Sequence, residues 1–463
     1  MSYDILIVGA GPGGYVAAIR AAQMGAKIVL IEKDKLGGTC LNYGCIPTKA
    51  LIACTTLFEK IQKAGNFGIT TGNVSLDLDK VIERKNKIVE KLVKGIEFLL
   101  EKNKIELIYG GARVLEAENS EIRKVEISPA SNYYSNCCGI PLKREKVDNS
   151  ELIVESRKLI LATGSLPYSL PSTPFDGKRF LSSDDLLDNP QHFEKLNIVG
   201  GGVIGLHFAQ IYSSLGTKVT IYEALPEILP GIDEEVVATI KRILKRKGVE
   251  VLTNAKFTAE TNPDPTLICV GRRPNLIGIE GLNLKMEGKS VWVNEKMETS
   301  VPGIYAIGDL VSKKMFAHVA SEQGIIAAEN ALGGNRLFTY DHVPYGIYTQ
   351  PEIGSVGLTE KEARVNHPDI RIGRFPFAAL GIAQAMGEIE GFIKIISDKD
   401  DKILGVHILG PEATTLIGSA LIAMRNGLTG RQLADSIQAH PSYSEGIQEA
   451  ALNIYKHSLH VIN

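Results

Sequence analysis

Asp4-Ile5-Leu6-Ile7-Val8-Gly9-Ala10-Gly11-Pro12-Gly13-Gly14 opens the chain, and its reading decides the fold. A short run of buried-strand character passes straight into glycines, and a helical pattern follows to about Met24. Lys27-Ile28-Val29-Leu30-Ile31-Glu32 then reads as a second strand ending in an acid. A lone glycine fingerprint is weak, but about 190 residues later the whole order returns. Leu196-Asn197-Ile198-Val199 leads into Gly200-Gly201-Gly202-Val203-Ile204-Gly205, a helix to about Leu215, and Lys218-Val219-Thr220-Ile221-Tyr222-Glu223. In both copies the acid lies 18 residues beyond the third glycine. The glycines let backbone approach a pyrophosphate, the helix N-terminus favours its charge, and the acid binds a ribose hydroxyl pair. The repeat predicts an α/β protein with two Rossmann-like dinucleotide-binding domains. Ala224-Leu225-Pro226-Glu227 follows Glu223 with no arginine for a 2′-phosphate, which favours NAD over NADP in the second site.

Soon after the first copy comes Gly37-Gly38-Thr39-Cys40-Leu41-Asn42-Tyr43-Gly44-Cys45-Ile46-Pro47-Thr48-Lys49. In a straight helix residues five apart stand about 8.7 Å apart at Cα, and a disulfide needs roughly 4.4–6.8 Å. The chain must therefore bend between Cys40 and Cys45 for them to bridge, with Gly44 as the point of freedom and Pro47 opening a helix beyond. Three readings stand on spacing alone: a redox pair, two structural thiols, or half a zinc site. The neighbouring sequence offers no second Cys/His pair for zinc.

The chain has 463 residues, enough for two to four domains. Its 51 Lys plus Arg nearly balance 53 Asp plus Glu, so nothing favours nucleic acid or an anionic membrane as a partner. Six cysteines in this length do not make a secreted disulfide scaffold. The start lacks a basic leader region, and no run of about 18 apolar residues appears, so the expected location is the cytoplasm. From about Asp341 the pattern changes. Gly391–Ile396 and Ile403–Ile408 read as a β-hairpin or meander, with helices around Ala413–Asn426 and Ser444–Tyr455, giving a C-terminal α+β module.

Leu161-Ala162-Thr163-Gly164-Ser165, Gly271-Arg272-Arg273-Pro274-Asn275, Tyr305-Ala306-Ile307-Gly308-Asp309, Tyr348-Thr349-Gln350-Pro351-Glu352-Ile353 and His440-Pro441-Ser442-Tyr443-Ser444-Glu445 complete a set of motifs running nearly end to end. With them the chain resembles the flavoprotein pyridine nucleotide-disulfide oxidoreductases, and most closely those members that oxidise protein-bound dihydrolipoyl groups. The resemblance implies a first FAD-binding part over 1–147, a shortened NAD-binding domain over 148–272, a central part completing the FAD site over 273–340, and a dimerisation domain over 341–463. FAD would be held by Gly9, Gly11, Gly14, Glu32, Lys33, Gly38, Thr39, Lys49, Ala112, Thr163, Gly164, Ser165, Gly308, Asp309 and Ala317. NAD would be held by Gly200, Gly202, Val203, Ile204, Gly205, His207, Glu223, Phe257, Val270, Gly271 and Arg272. The resemblance makes Cys40 and Cys45 the redox disulfide, Cys40 exchanging with substrate and Cys45 touching the flavin beside Lys49. His440, oriented by Glu445, would be the base, delivered across a homodimer. Lipoyl-bearing proteins of 2-oxo acid dehydrogenase complexes or the glycine cleavage system are the implied partners. Another flavin disulfide reductase or diaphorase, or a flavin-binding subunit with impaired nicotinamide turnover, is the alternative.

Two departures from the family pattern stand out. The family usually has Glu where this chain has His207, and that Glu pairs with the lysine matching Lys49. Asn254–Thr266 is also about two dozen residues shorter than its counterpart, losing a hairpin. Cys137-Cys138 reads as a pair of loop thiols, Cys54 and Cys269 as core residues, and His318, His342 and His407 as structural.

Overall fold

A computed structural model describes residues 2–115, 122–129, 152–311 and 313–462. Cys137 and Cys138 lie outside the described residues. Ser2–Val8 pairs in parallel with Ile28–Glu32 on one side and Leu152–Leu161 on the other. Glu106–Val114 and Ile304–Ala306 extend this sheet at its two sides, and Arg123–Pro129 links Glu106–Val114 to Leu152–Leu161 by antiparallel pairing. Leu152–Leu161 lies past residue 147, where the first part was expected to end, yet it belongs to the first sheet. Its apolar end, Leu159-Ile160-Leu161, is fully buried between two neighbours, so the sheet closes only with it.

The second copy forms its own parallel sheet in the order Glu250–Leu252, Lys218–Tyr222, Lys195–Val199, Thr266–Ile268, Phe180–Leu181. The short 254–266 connection holds a single 3-10 turn, Ala259–Thr261. It is tied down from both sides. Arg179 donates to the Ala259 and Asn262 carbonyls, and Tyr222 Oη donates to Asn262 Oδ1 at 2.7 Å.

The C-terminal module is an antiparallel sheet ordered Tyr345–Ile347, Glu352–Gly357, Ile403–Gly410, Phe392–Ser397, Arg371–Pro376. Of the hairpin or meander expected over 391–396 and 403–408, the structure shows Phe392–Ser397 and Ile403–Gly410 paired as a hairpin. Both are buried along their whole length, because helices Ala413–Arg425 and Glu445–Asn453 cover one face and the second nucleotide unit the other. Burial on both faces strands a charge: Lys394, 2 % exposed, meets Asp233 of the second unit at 3.0 Å. Asp233 also caps helix Glu234–Arg246. No helix among the described residues is long and apolar enough to cross a membrane.

Candidate active site

One cavity of about 1800 Å³ runs from Glu32 past the cysteine pair to Glu223. Single ligand pockets hold roughly 300–1,000 Å³, so this volume fits two dinucleotides meeting end to end. The two ends are built alike. Glu32 Oε2 accepts the Ala10 amide at 2.6 Å and its Oε1 the Asp34 amide at 2.9 Å. Glu223 Oε2 accepts the Gly201 amide at 2.7 Å and its Oε1 the Leu225 amide at 2.8 Å. Each oxygen keeps a lone pair for a sugar hydroxyl. Burial raises the Glu32 carboxyl above its ordinary value, against the pull of the Ala10 and Asp34 amides. Helices Pro12–Gln23 and Val203–Ser214 start at Gly11 and Gly202, which line the cavity and offer no side-chain cap. Their first-turn amides are open to an anion. These features fit FAD at the first site and NAD at the second.

The cavity wall includes Gly9, Gly11, Glu32, Lys33, Gly38, Thr39, Lys49, Ala112, Thr163, Gly164, Ser165, Gly308, Asp309 and Ala317 of the expected FAD set. It also includes Gly200, Gly202, Val203, Ile204, His207, Glu223, Phe257, Val270, Gly271 and Arg272 of the expected NAD set. Gly14 and Gly205 do not line it. A Cβ on Gly14 would fall 1.8 Å from the Gly9 carbonyl oxygen, and one on Gly205 2.1 Å from that of Gly200. These glycines bring helix against strand and leave the ligand to others. Arg272 sits on the boundary of the two sets: its Nε donates to Ser165 Oγ at 2.8 Å, and Ser165 Oγ donates to Asp309 Oδ2 at 2.6 Å. Phe257 stands edge-on to Tyr222, with ring centroids 5.2 Å apart.

The cysteine segment folds as two helices, Gly38–Asn42 and Cys45–Gln62, broken at Tyr43-Gly44. The bend falls where the spacing required it. Gly44 serves it by closeness: a Cβ there would stand 3.0 Å from the Thr39 carbonyl oxygen. Both cysteines are present as thiols, and the Cys40 thiol donates to Cys45 sulfur. That donated hydrogen bond lowers the Cys45 thiol below its ordinary value against the opposing effect of burial, and the Lys49 charge adds to the lowering. The same bond, with burial, raises Cys40. The pair is thus polarised, Cys45 toward thiolate and Cys40 toward thiol.

Lys49, one turn after Cys45, lies with Nζ 4.6 Å from the centroid of the Tyr348 ring. Burial lowers its ammonium below the ordinary value while the two cysteines raise it. The Tyr348 amide donates to His207 Nε2 at 2.9 Å. His207 is held well below its ordinary value by burial and then by Lys49, and it is neutral. Tyr348 opens one of the family motifs but was not among the expected site residues, because its contacts lie on distant elements.

His440 and Glu445 are brought together but away from the cavity wall. His440 Nδ1 lies 2.8 Å from Glu445 Oε1, and Glu445 Oε2 accepts the Ser442 amide at 2.8 Å. Burial acts to raise Glu445, yet the His440 hydrogen bond and the Ser442 amide hold it below the usual carboxylate range. Nδ1–H toward the carboxylate leaves the Nε2 lone pair free. The His440 side chain is 79 % exposed in the single chain. Of the remaining candidates, Cys269 donates toward the Val199 carbonyl at 3.3 Å, and burial pushes its thiol up to about 12. Cys54 is not a core residue; it is half-buried beside Arg84. His407 is fully buried between Ser355 Oγ and the Leu358 carbonyl.

Comparison with known proteins agrees with this geometry. The sequence model of pyridine nucleotide-disulphide oxidoreductases matches residues 3–324, and the dimerisation-domain model of the same group matches 343–451. A dihydrolipoyl dehydrogenase of Bacillus subtilis is 39 % identical, covering 97 % of each chain. One of Thermus scotoductus is 37 % identical over 100 % of this chain and 99 % of its own. Among solved structures, LpdA of Mycobacterium tuberculosis superposes with a TM-score of 0.86 at 26 % identity, over 97 % of this chain and 99 % of that one. The HOCl-induced flavoprotein disulfide reductase RclA of Escherichia coli reaches 0.81 at 27 % identity, over 96 % and 98 %.

Proposed function

The chain belongs to the pyridine nucleotide-disulphide oxidoreductase family, and from that premise we propose that it oxidises protein-bound dihydrolipoyl groups and passes their electrons to NAD⁺. The carrying observation is the Cys40/Cys45 pair at the start of the Cys45–Gln62 helix beside Lys49, set in one cavity between two dinucleotide sites of matching build. The full-length relatives named dihydrolipoyl dehydrogenase support the substrate.

In the oxidised enzyme Cys40 and Cys45 are bonded to each other. His440 Nε2 of a second copy takes the proton of one substrate thiol, and Glu445 stabilises the imidazolium that results. The substrate thiolate attacks Cys40 Sγ; the bond between the cysteines breaks, and Cys45 leaves as a thiolate beside Lys49. The second substrate thiol, losing its proton, attacks the mixed disulfide. Its lipoyl ring closes, Cys40 departs and takes up a proton, and two electrons now rest on the pair. FAD, when bound, supplies two-electron transfer between the dithiol and nicotinamide.

On this reading Gly9, Gly11, Glu32 and the first helix hold the FAD adenosine and pyrophosphate, with Ser165 and Asp309 further along. Gly200, Gly202 and Glu223 hold NAD, and Gly14 and Gly205 pack the helices that serve both. The FAD portion comprises residues 2–161 and about 273–340, the NAD portion the stretch between, and the tail the homodimer contact. The cytoplasm and lipoyl-bearing complexes are the proposed setting. The test is anaerobic titration of the FAD-loaded protein with dihydrolipoamide, then NAD⁺. One NADH per dithiol is expected. Reduction by dihydrolipoamide without NADH would mean lost nicotinamide turnover, and no reduction would remove the lipoyl substrate.

A further inference from the structure

Lys49 is a half-buried cation whose partners in the cavity are unusual. Its ammonium rests on the Tyr348 ring face, and among the described residues it has no carboxylate partner. The groups that act on its charge are the Cys45 and Cys40 sulfurs. The nearby side chain that could have been acidic is His207, fully buried and neutral, whose Nε2 is already engaged by the Tyr348 amide. Tyr348 is thereby fixed at two points: the amide held by His207, the ring beneath Lys49.

We propose that His207 is a positioning residue for dithiol oxidation, which holds Tyr348 under Lys49 without neutralising it and so reserves the lysine's charge for the Cys45 thiolate. The inference rests on the redox reading of the cysteine pair. A carboxylate at position 207 would share the ammonium and draw it off the sulfur; a neutral acceptor would not. The ionisable groups around the two sulfurs are Tyr15 from the first nucleotide helix, Lys49 on the cysteine helix, His207 from the second nucleotide helix, Asp309 after the last strand of the first sheet, and Tyr348. Asp309 opposes the Cys45 thiolate, so Lys49 is the local charge that favours it.

His207→Glu and His207→Gln test this in the FAD-loaded dimer. Each protein is reduced anaerobically with excess dithiothreitol, which becomes a cyclic disulfide as the Cys40–Cys45 bond is cleaved. The long-wavelength absorbance of the Cys45 thiolate against the flavin is then followed against pH. His207→Glu should move the midpoint upward by about one pH unit, a tenfold loss of thiolate at fixed pH in that range. His207→Gln, which keeps a neutral acceptor for the Tyr348 amide, should stay within about 0.3 unit, well inside the ordinary spread for a neutral exchange. An unchanged midpoint in His207→Glu overturns the proposal, and so does a carboxyl that stays protonated beside Lys49, since position 207 would then not govern that charge. A His207→Gln midpoint shifted as far as that of His207→Glu also overturns it, by making shape the cause. A native protein with no such absorbance would instead overturn the redox reading itself.

Discussion

Cys40 and Cys45 differ in what surrounds them, and that difference predicts different losses. Cys40→Ser should cut dihydrolipoamide turnover more than about 1,000-fold, the scale of losing a nucleophilic partner. NADH-driven reduction of a small dye should persist, since that reaction needs the two nucleotide sites and no disulfide. Loss of both activities together would mean that Cys40 holds the fold or the flavin. His440→Gln should also lower dihydrolipoamide turnover, by roughly 10²–10⁴-fold, while FAD content stays intact; unchanged turnover removes it as the base. At this scale the sequence was readable where chemistry is local. Glu32 and Glu223 stand at fixed distances from their glycines, and their amide partners follow from that spacing. Tyr348 opens a recognisable motif, but its role was hidden because its ring meets Lys49 and its amide meets His207 only after three parts of the chain converge.

Among the elements, the third glycine of each fingerprint does different work from the second. Gly205→Ala would press a Cβ against the Gly200 carbonyl, whereas a Cβ on Gly202 has nothing within 4 Å. Gly205→Ala should therefore loosen the helix from its strand and raise the KM for NAD⁺ at least about tenfold, on the scale of 1–3 kcal/mol for overpacking, with FAD content unchanged. Equal NAD⁺ kinetics in Gly205→Ala and wild type would refute this packing role. The fingerprint pattern places all three glycines but cannot separate these duties; only the distance between helix and strand does. Lys394 carries a second prediction at this scale. Burial alone would lower its ammonium and raise the Asp233 carboxyl, but their contact, with Glu360 and the His407 neighbourhood, reverses both shifts. Asp233, held low, contributes stability above the ordinary carboxylate range that is lost as pH falls through its depressed value. Lys394, held high, contributes stability that is lost as pH rises through its raised value. Lys394→Met should cost about 3–5 kcal/mol by leaving Asp233 buried and unpaired, measured by urea unfolding near neutral pH. A cost under about 1 kcal/mol would place this pair among weak surface pairs. The strand pattern around Lys394 does not say which side it faces, and only the packing of the second nucleotide unit onto that face shows why the lysine is buried.

For the whole molecule, the question is whether one chain holds a complete site. His440 lies off the cavity wall, and Ile437 and Ile422 nearby in sequence are 95 % and 63 % exposed. If a second copy supplies His440, two inactive variants should rescue each other. Cys45→Ser and His440→Gln chains assembled at random into dimers should regain about a quarter of native turnover, because half the dimers are mixed and each mixed dimer has one intact site. No recovery in verified mixed dimers would place the base within its own chain. The fold class, the repeat and the module order were legible because glycine turns and strand runs are local. The proposed sharing of a site between copies was legible only through family resemblance, since no spacing within one chain encodes a partner.

The first sheet also dictates an order of assembly during synthesis. Its strands come from residues near both ends of a long interval, with Leu152–Leu161 awaiting Ile304–Ala306 as its outer neighbour. The second sheet, drawn wholly from residues 180–268, is finished earlier. A ribosome moving along the message thus releases the later-numbered nucleotide unit as a closed body while the earlier one still lacks a strand and the Asp309 wall behind it. Stalled nascent chains in which residue 270 has cleared the exit tunnel but Ile304–Ala317 has not should resist protease across the second unit and retain no FAD, and flavin uptake should begin only when Ile304–Ala317 has emerged.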